Sequence, residues 1–336
     1  MSQKIAWVDN LRGIACLMVV MIHATSFHVV NFSAIDNVSW WLANLLDSAS
    51  RVSVPVFFMI SGYLFWGEKS AQPRHLLRIA LCLIFYSAVS LVYIISMTKI
   101  GFWPSLRLIL QKPVFYHLWF FYAIGLIYLL SPFIQVKQAP ARLLLVAATV
   151  LGVLANPQLP ALNWQKIHLL PINLYISGDA FYYLLYALLG RALGTLDLGR
   201  QERNNRRYGL LAGVIFLAST LAIAFGTERQ SLINQNFAET FYTYCGPLVF
   251  ISALSLFVFA RTFLDKVNSR FLALISRHSL AIYGLHALII IAIRGKHLDF
   301  PTHPLLNIAF LYACGLGGGL LLAILIGKAD RRHWVS

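Results

Sequence analysis

The stretch WVDNLRGIACLMVVMIHATSF, Trp7 to Phe27, is apolar enough for a bilayer, yet it carries Asp9 and Arg12 near one end and His23 near the other. Ionisable groups inside a membrane span are costly, so each is a functional candidate. Asp9 and Arg12 are three residues apart, share a helix face and can pair. Arg12 and His23 are eleven apart. That is almost three whole turns, so they lie on nearly one face, roughly 16 Å apart along the axis. They cannot touch, but they can line one channel. A guanidinium suits a phosphate group, and a neutral imidazole can serve as a general base. A molecule with a phosphate head and a reactive end at that reach fits between them, as acyl-coenzyme A does with its pantetheine arm. The same residues also fit a structural Asp–Arg pair and a histidine bonded to a neighbouring helix's backbone.

Other candidates lie further along. QPRHLLR, Gln72 to Arg78, opens an apolar run with Arg74 and Arg78 on one face, suited to a diphosphate at a helix start. Arginines that only orient a span look the same. ISRHSLAIYGLH places Ser279, Tyr283 and His286 on one stripe, with Arg277 and His278 at its start. His286 reads either as a site imidazole or as a hydrogen-bonded packing histidine. YHLWFF, Tyr116 to Phe121, reads as an interfacial anchor whose Trp119 indole could also roof a site, and Asp179 in SGDAFYY reads as a cap. No metal-ligand spacing occurs. Cys16, Cys82, Cys245 and Cys314 all fall in apolar runs and read as packing residues rather than a disulfide framework.

The elements that must carry these groups are membrane helices. The chain of 336 residues is 59% hydrophobic and only 12% charged, about half the charge of an average soluble domain, which is about 25% charged. Runs long enough for a bilayer predict ten spans, near 5–27, 45–66, 76–96, 117–136, 141–156, 172–194, 208–226, 241–261, 271–293 and 305–326. Arg51 and Pro55 interrupt the second, and the fifth is short. The first run lacks a small-residue cleavage site and reads as a retained helix rather than a signal peptide. With no repeat or low-complexity linker, residues 1–336 read as one all-α, membrane-embedded domain.

The net charge of +15 is spread over short loops, as topology signals and lipid contacts require, so nucleic acid is not an expected partner. Leaving out Arg12 and Arg51, a cytoplasmic N-terminus puts eighteen basic residues inside and seven outside: Lys99, Arg107, Lys112, Lys166, Arg229, Arg294 and Lys296. Both termini are therefore expected in the cytoplasm. The outer segments 97–116 and 157–171 mix Trp, Pro and Lys, and read as interfacial loops or as the roof of a cavity.

Asp9-x-x-Arg12-Gly13 with His23 eleven residues after the arginine resembles the first-helix signature of the membrane acyltransferase-3 family. VPVFFMISGYLF, Val54 to Phe65, is similar to its second-helix Phe-Phe-x-x-Ser-Gly pattern, which brings Ser61 in as a lining residue. PRHLLR resembles its arginine motif, spaced here Arg-x-x-x-Arg, and HLWFF and SRHSLAIYGLH resemble two later motifs. The ordered set runs from Trp7 to His286. The resemblance implies about ten helices in a bacterial inner membrane, acetyl-coenzyme A as co-substrate with no bound cofactor, and an envelope glycan, lipid-linked or polymeric, as acceptor. It implies His23 as the catalytic histidine, completed by Asp9 and Arg12, and Arg12, Arg74 and Arg78 as donor-binding groups. Trp119, Ser279, Tyr283 and His286 are then possible lining residues. It further implies a stand-alone form without a fused esterase-like domain. Several stretches are similar to the branch that acetylates enterobacterial common antigen, whose amino sugars become the expected acceptor. A transporter or flippase for an anionic substrate, and a structural or sensory membrane protein, are the other classes that ten helices with buried charges allow. No inverted repeat favours transport.

Overall fold

Backbone groups in hydrocarbon must bond within their own segment, which selects helices, and the apolar runs fold accordingly. The computed structural model describes residues 5–97, 102–107, 109, 111–164, 167–196, 202–332 and 334–336. In order, the helices are α1 (Ala6–Val30), α2 (Asn37–Ser50), α3 (Ser53–Phe65), α4 (Pro73–Met97), the short α5 (Phe102–Leu106), α6 (Trp119–Leu130), α7 (Ala141–Thr149), α8 (Asp179–Thr195), α9 (Glu202–Asn234), α10 (Pro247–Phe263), α11 (Arg270–Gly295) and α12 (Pro304–Ala329). A 3-10 turn, Tyr116–Leu118, leads into α6, and a π turn, Val150–Leu154, continues α7. Local chemistry sets several starts. Asp36 caps α2 by accepting from the Ser39 N–H (2.9 Å), Ser269 caps α11, and prolines open α4, α10 and α12.

Among the described residues six helical stretches are long and apolar enough to cross a membrane: Ala6–Val30, Asn37–Phe65, Pro73–Met97, Asn205–Asn234, Arg270–Gly295 and Pro304–Ala329. The other four expected spans correspond to shorter helices: Tyr116–Leu130, Ala141–Leu154, Pro247–Phe263 and α8. The second expected span differs most. It begins at Asn37 rather than near 45 and breaks at Arg51, with Pro55 in the first turn of α3, where no N–H is needed. The sixth starts only at Asp179, and the outer segment before it holds a small antiparallel hairpin, Leu162–Trp164 with Ile167–Leu170. Lys4, Lys99, Lys166 and Arg200, used in the charge count, lie outside the described residues, as do parts of both outer segments.

Leucines and valines on α4, α9 and α12 face outward, Val92, Val214 and Leu321 each more than half exposed, which is the surface a lipid bath expects. Inside, α1 is the axis, packed against α2, α3, α10, α11 and α12. Small residues allow the closest approaches. A Cβ on Gly62 of α3 would lie 1.8 Å from the Ala187 carbonyl oxygen of α8, and one on Gly190 would lie 2.1 Å from that of Met59. The glycine of the Ser61-Gly62-Tyr63 triplet is therefore where α3 and α8 touch backbone to backbone.

One buried ion pair ties α2 to its neighbours. The Arg51 Nε donates to Asp47 Oδ1 at 2.6 Å, the Thr25 hydroxyl of α1 donates to Asp47 Oδ2 at 2.8 Å, and the guanidinium lies 4.1 Å from the Tyr242 ring centroid. Asp47 is fully buried. Removing one partner of such a pair leaves an uncompensated charge, at a cost of about 3–5 kcal/mol. Asp47→Asn is therefore expected to lower the melting temperature in detergent, and Asp47→Asn with Arg51→Met to recover much of it. A double variant no better than the single one contradicts the pairing. Gly62→Val is expected to be destabilised by about 1–3 kcal/mol of overpacking. Gly317→Ala, where a Cβ meets nothing within 4 Å, is expected to melt like the parent. A Gly62→Val protein that melts like the parent would show that α3 and α8 are not in backbone contact.

Candidate active site

Helix direction sorts the polar residues to two ends. The starts of α1, α4 and α11 and the ends of α3 and α6 meet at one end, around Arg12, Arg78, Arg277, Leu64 and Tyr128. The end of α1, the turn before α6 and the Arg51 junction gather at the other, around His23 and Tyr116.

At the first end, Arg12 Nη1 donates to Asp9 Oδ1 at 3.1 Å, the pairing expected from their spacing. Both side chains are about one-third exposed, so the guanidinium keeps donors for another group. Arg12 sits on a cavity of about 310 Å³. Its mouth carries Arg12, His75, Arg78 and Arg277, and among the described residues no acidic side chain lines it. Its walls are apolar, including Phe57, Ile60, Phe120 and Leu280, with Ser61 among them, and it reaches Ser279 and Tyr283. Of the paired arginines on α4, only Arg78 faces the cavity, where its Nη2 also donates to the Ser336 carbonyl at 2.7 Å. Arg74 is exposed, on the first turn of α4, and does not line the cavity. His75, between them, does line it and accepts the Gln72 N–H on Nδ1 at 2.9 Å. His75 and Arg277 were not among the sequence candidates for donor binding. Their position at basic helix starts was the available signal.

At the other end three imidazoles meet. The His23 ring lies 4.8 Å from His286 and 6.3 Å from His117, centroid to centroid, and His117 lies 5.6 Å from His286. His23 Nδ1 is 3.1 Å from the Tyr116 hydroxyl. His286 Nδ1 faces two carbonyls of its own helix, Ile282 at 2.9 Å and Tyr283 at 2.8 Å. Carbonyls only accept, so that nitrogen bears the proton and Nε2 holds a lone pair. His117 Nε2 faces the Gly284 carbonyl at 3.2 Å, which leaves the lone pair on Nδ1. Among the described residues neither His286 Nε2 nor His117 Nδ1 has a hydrogen-bond partner, and both side chains are buried. His23 alone of the three is half-exposed. Among the described residues no group of three or more His, Cys, Asp and Glu is arranged to hold a metal ion.

Tyr283 joins the two regions. Its ring lines the cavity, lies 5.6 Å from His117 and 5.9 Å from His286, and its hydroxyl donates to the His117 carbonyl. The cavity thus runs from a cationic mouth through an apolar throat to a wall shared with the imidazoles. Trp119 lies elsewhere, packed on Tyr183 and Tyr244 at 5.6 and 5.9 Å and outside the cavity lining. His117 was absent from the sequence candidates, because YHLWFF reads as an interfacial anchor. Only its contact with α11 gives it a place in the cluster. Chemically, the arrangement offers cations for an anionic head, a dry channel for a slender chain and a neutral imidazole next to solvent.

Comparison with known proteins bears on the family of the chain. Residues 5–328 match the acyltransferase-3 family, described as an acyltransferase domain. An amino-acid racemase of Enterococcus faecalis is 22% identical over 361 aligned positions, which take in 100% of this chain and 48% of the relative. The chain thus spans about half the length of the curated relative it matches. No solved structure matches. With the family match covering nearly the whole described chain, and with a helical fold bearing several apolar helices long enough to cross a membrane, the protein belongs to the acyltransferase-3 family.

Proposed function

We propose that the protein is an O-acetyltransferase that moves an acetyl group from acetyl-coenzyme A to a sugar hydroxyl of an envelope glycan, at amino sugars of enterobacterial common antigen. The observation that carries this reading is the cavity that starts among Arg12, Arg78 and Arg277 and ends at Tyr283, whose ring packs against the imidazole cluster. Its cations suit the phosphates of the donor and its apolar throat suits the pantetheine arm. The separation of Arg12 and His23 on α1, roughly 16 Å by helical rise, matches the reach of such an arm. The excess of basic residues near the Arg12 end favours that end as cytoplasmic, in a bacterial inner membrane. The donor then enters from the cytoplasm and the glycan approaches His23 from the half-exposed outer end.

In the transfer step, the sugar hydroxyl oxygen attacks the thioester carbonyl carbon while His23 takes the hydroxyl proton. The carbon–sulfur bond breaks, and His23 returns the proton to the sulfur, so that coenzyme A leaves as the thiol. Asp9 orients Arg12 through their 3.1 Å bond. Direct transfer is favoured over an acetyl-histidine intermediate because the half-exposed His23 faces the side from which the hydroxyl comes.

The test is transfer of labelled acetyl from acetyl-coenzyme A to extracted envelope glycan by the purified protein, with thiol release followed in parallel. Wild type is expected to label the glycan, and His23→Ala to fall by about 10²–10⁴-fold, the usual contribution of a general base. Equal label in both would remove His23 from the mechanism. A stable protein that moves no label into any glycan fraction would point to the transporter reading. Within the same assay Arg78→Ala is expected to raise the donor KM about tenfold or more, the loss of one charge-assisted bond. Arg74→Ala, exposed and off the cavity, is expected to stay near wild type. The reverse order would place the phosphates outside the cavity.

A further inference from the structure

His286 is wholly buried in a bundle whose other buried polar groups mostly find partners, yet among the described residues its Nε2 has none. The nitrogen is not idle by accident of tautomer. Two carbonyls of α11 hold the proton on Nδ1, so Nε2 presents a lone pair in a fixed direction. An unpaired buried acceptor is destabilising, and a donor that reaches it relieves that cost. Among the groups around it, Tyr283 has committed its hydroxyl to the His117 carbonyl, and His117 has committed its N–H to Gly284. His117 otherwise offers only a second lone pair. The group left to supply a donor is His23, the nearest ring to His286 in the cluster, 4.8 Å between centroids.

Resting on the acetyltransferase reading above, we propose that His286 is a positioning residue for the transfer step: its Nε2 accepts a hydrogen bond from the N–H that His23 gains when it takes the hydroxyl proton. In this proposal His23 is neutral before transfer, its Nδ1–H donating to the Tyr116 hydroxyl oxygen 3.1 Å away, so that the other ring nitrogen carries the lone pair. When the oxygen–hydrogen bond of the acceptor breaks, the proton goes to that nitrogen, and the new N–H is shared between the oxygen it left and the waiting lone pair of His286. His23 then releases that proton to the departing sulfur, and His286 ends as it began, neutral and unpaired. The bond exists only while His23 is charged, so it favours the transition state over the ground state. The groups that face His23 are Tyr116 from the turn before α6, His117 behind it, His286 from α11 and Arg51 from the α2–α3 junction. None of these supplies an anion. A fixed neutral acceptor is what the site offers an imidazolium.

Two amide substitutions separate this role from packing. Asn places its amide near the Nδ1 position, keeping a donor for the Ile282 and Tyr283 carbonyls and losing the acceptor at the far side. Gln reaches the Nε2 position and restores an acceptor there. In the full-length protein, His286→Asn is expected to lower kcat about 100-fold with the donor KM within twofold, and His286→Gln to keep kcat within about tenfold of wild type. A purely structural histidine gives the opposite order, with Asn active and Gln impaired, and that result overturns the proposal, as does full activity in both. Thermal melts of each variant accompany the kinetics. If His286→Asn fails to fold, His286→Gln near wild-type activity still supports the acceptor, and a folded but inactive His286→Gln overturns it. His23→Ala, measured alongside, keeps the two readings apart: activity there sinks the acetyltransferase mechanism, whereas the Asn–Gln order concerns His286 alone.

Discussion

Polar groups in this bundle have no water to turn to, and that constraint shapes everything else. Asp47 is buried only because Arg51 and Thr25 both bond it. Asn10 is buried because the carbonyls of Leu264 and Val267 accept from it, and Asn44 because it bonds the Ala224 carbonyl and the Tyr242 hydroxyl. His28 shares a bond with Asn307. Each of these links α1 or α2 to a distant part of the chain, so the polar groups that are costly alone become the ties that fix helix positions. Against that background, the bare nitrogens of His117 and His286 stand out, because they sit together and beside the half-exposed His23.

The same packing creates the two ends. Close contact of α3 with α8 at Gly62 and Gly190, and of α1 with α11, where a Cβ on Gly13 would lie 2.7 Å from the Leu272 carbonyl oxygen, leaves room on the other side of α3. The cavity opens there, between α1, α3, α4, α6 and α11. Its cations come from three helix starts that meet, Arg12, Arg78 and Arg277, none of which is a neighbour of another in sequence. Its far wall is Tyr283, placed by one face of α11 that also carries Ser279 and His286. None of the three imidazoles lines the cavity itself; on the proposed reading the donor binds at the mouth and reacts beyond the Tyr283 wall.

Much of this was legible in the chain. The helical character follows from apolar length, the Asp9–Arg12 pair from a spacing of three, and the common face of Ser279, Tyr283 and His286 from steps of four and three. What was not legible depends on contacts between distant segments. Nothing in QPRHLLR says that α4 turns Arg78 toward the cavity and leaves Arg74 in solvent, since that depends on where the α4 start meets α11. Nothing in YHLWFF marks His117, because its importance comes from Gly284 and Tyr283, far along the chain. The second expected span differs at its start because Asn44, Asp47 and Ser48 break the apolar run within VSWWLANLLDSAS, although these side chains are buried and point inward to partners.

The central claim is that one donor molecule bridges the cationic mouth and the imidazole cluster. The most direct measurement is a cryo-electron microscopy structure of the protein with an acetyl-coenzyme A analogue whose thioester is replaced by a stable thioether. The account expects phosphates within hydrogen-bond reach of Arg12, Arg78 or Arg277, and the acyl end past Tyr283 beside His23. A donor bound outside this cavity, or one whose acyl end stops short of the histidines, would contradict it.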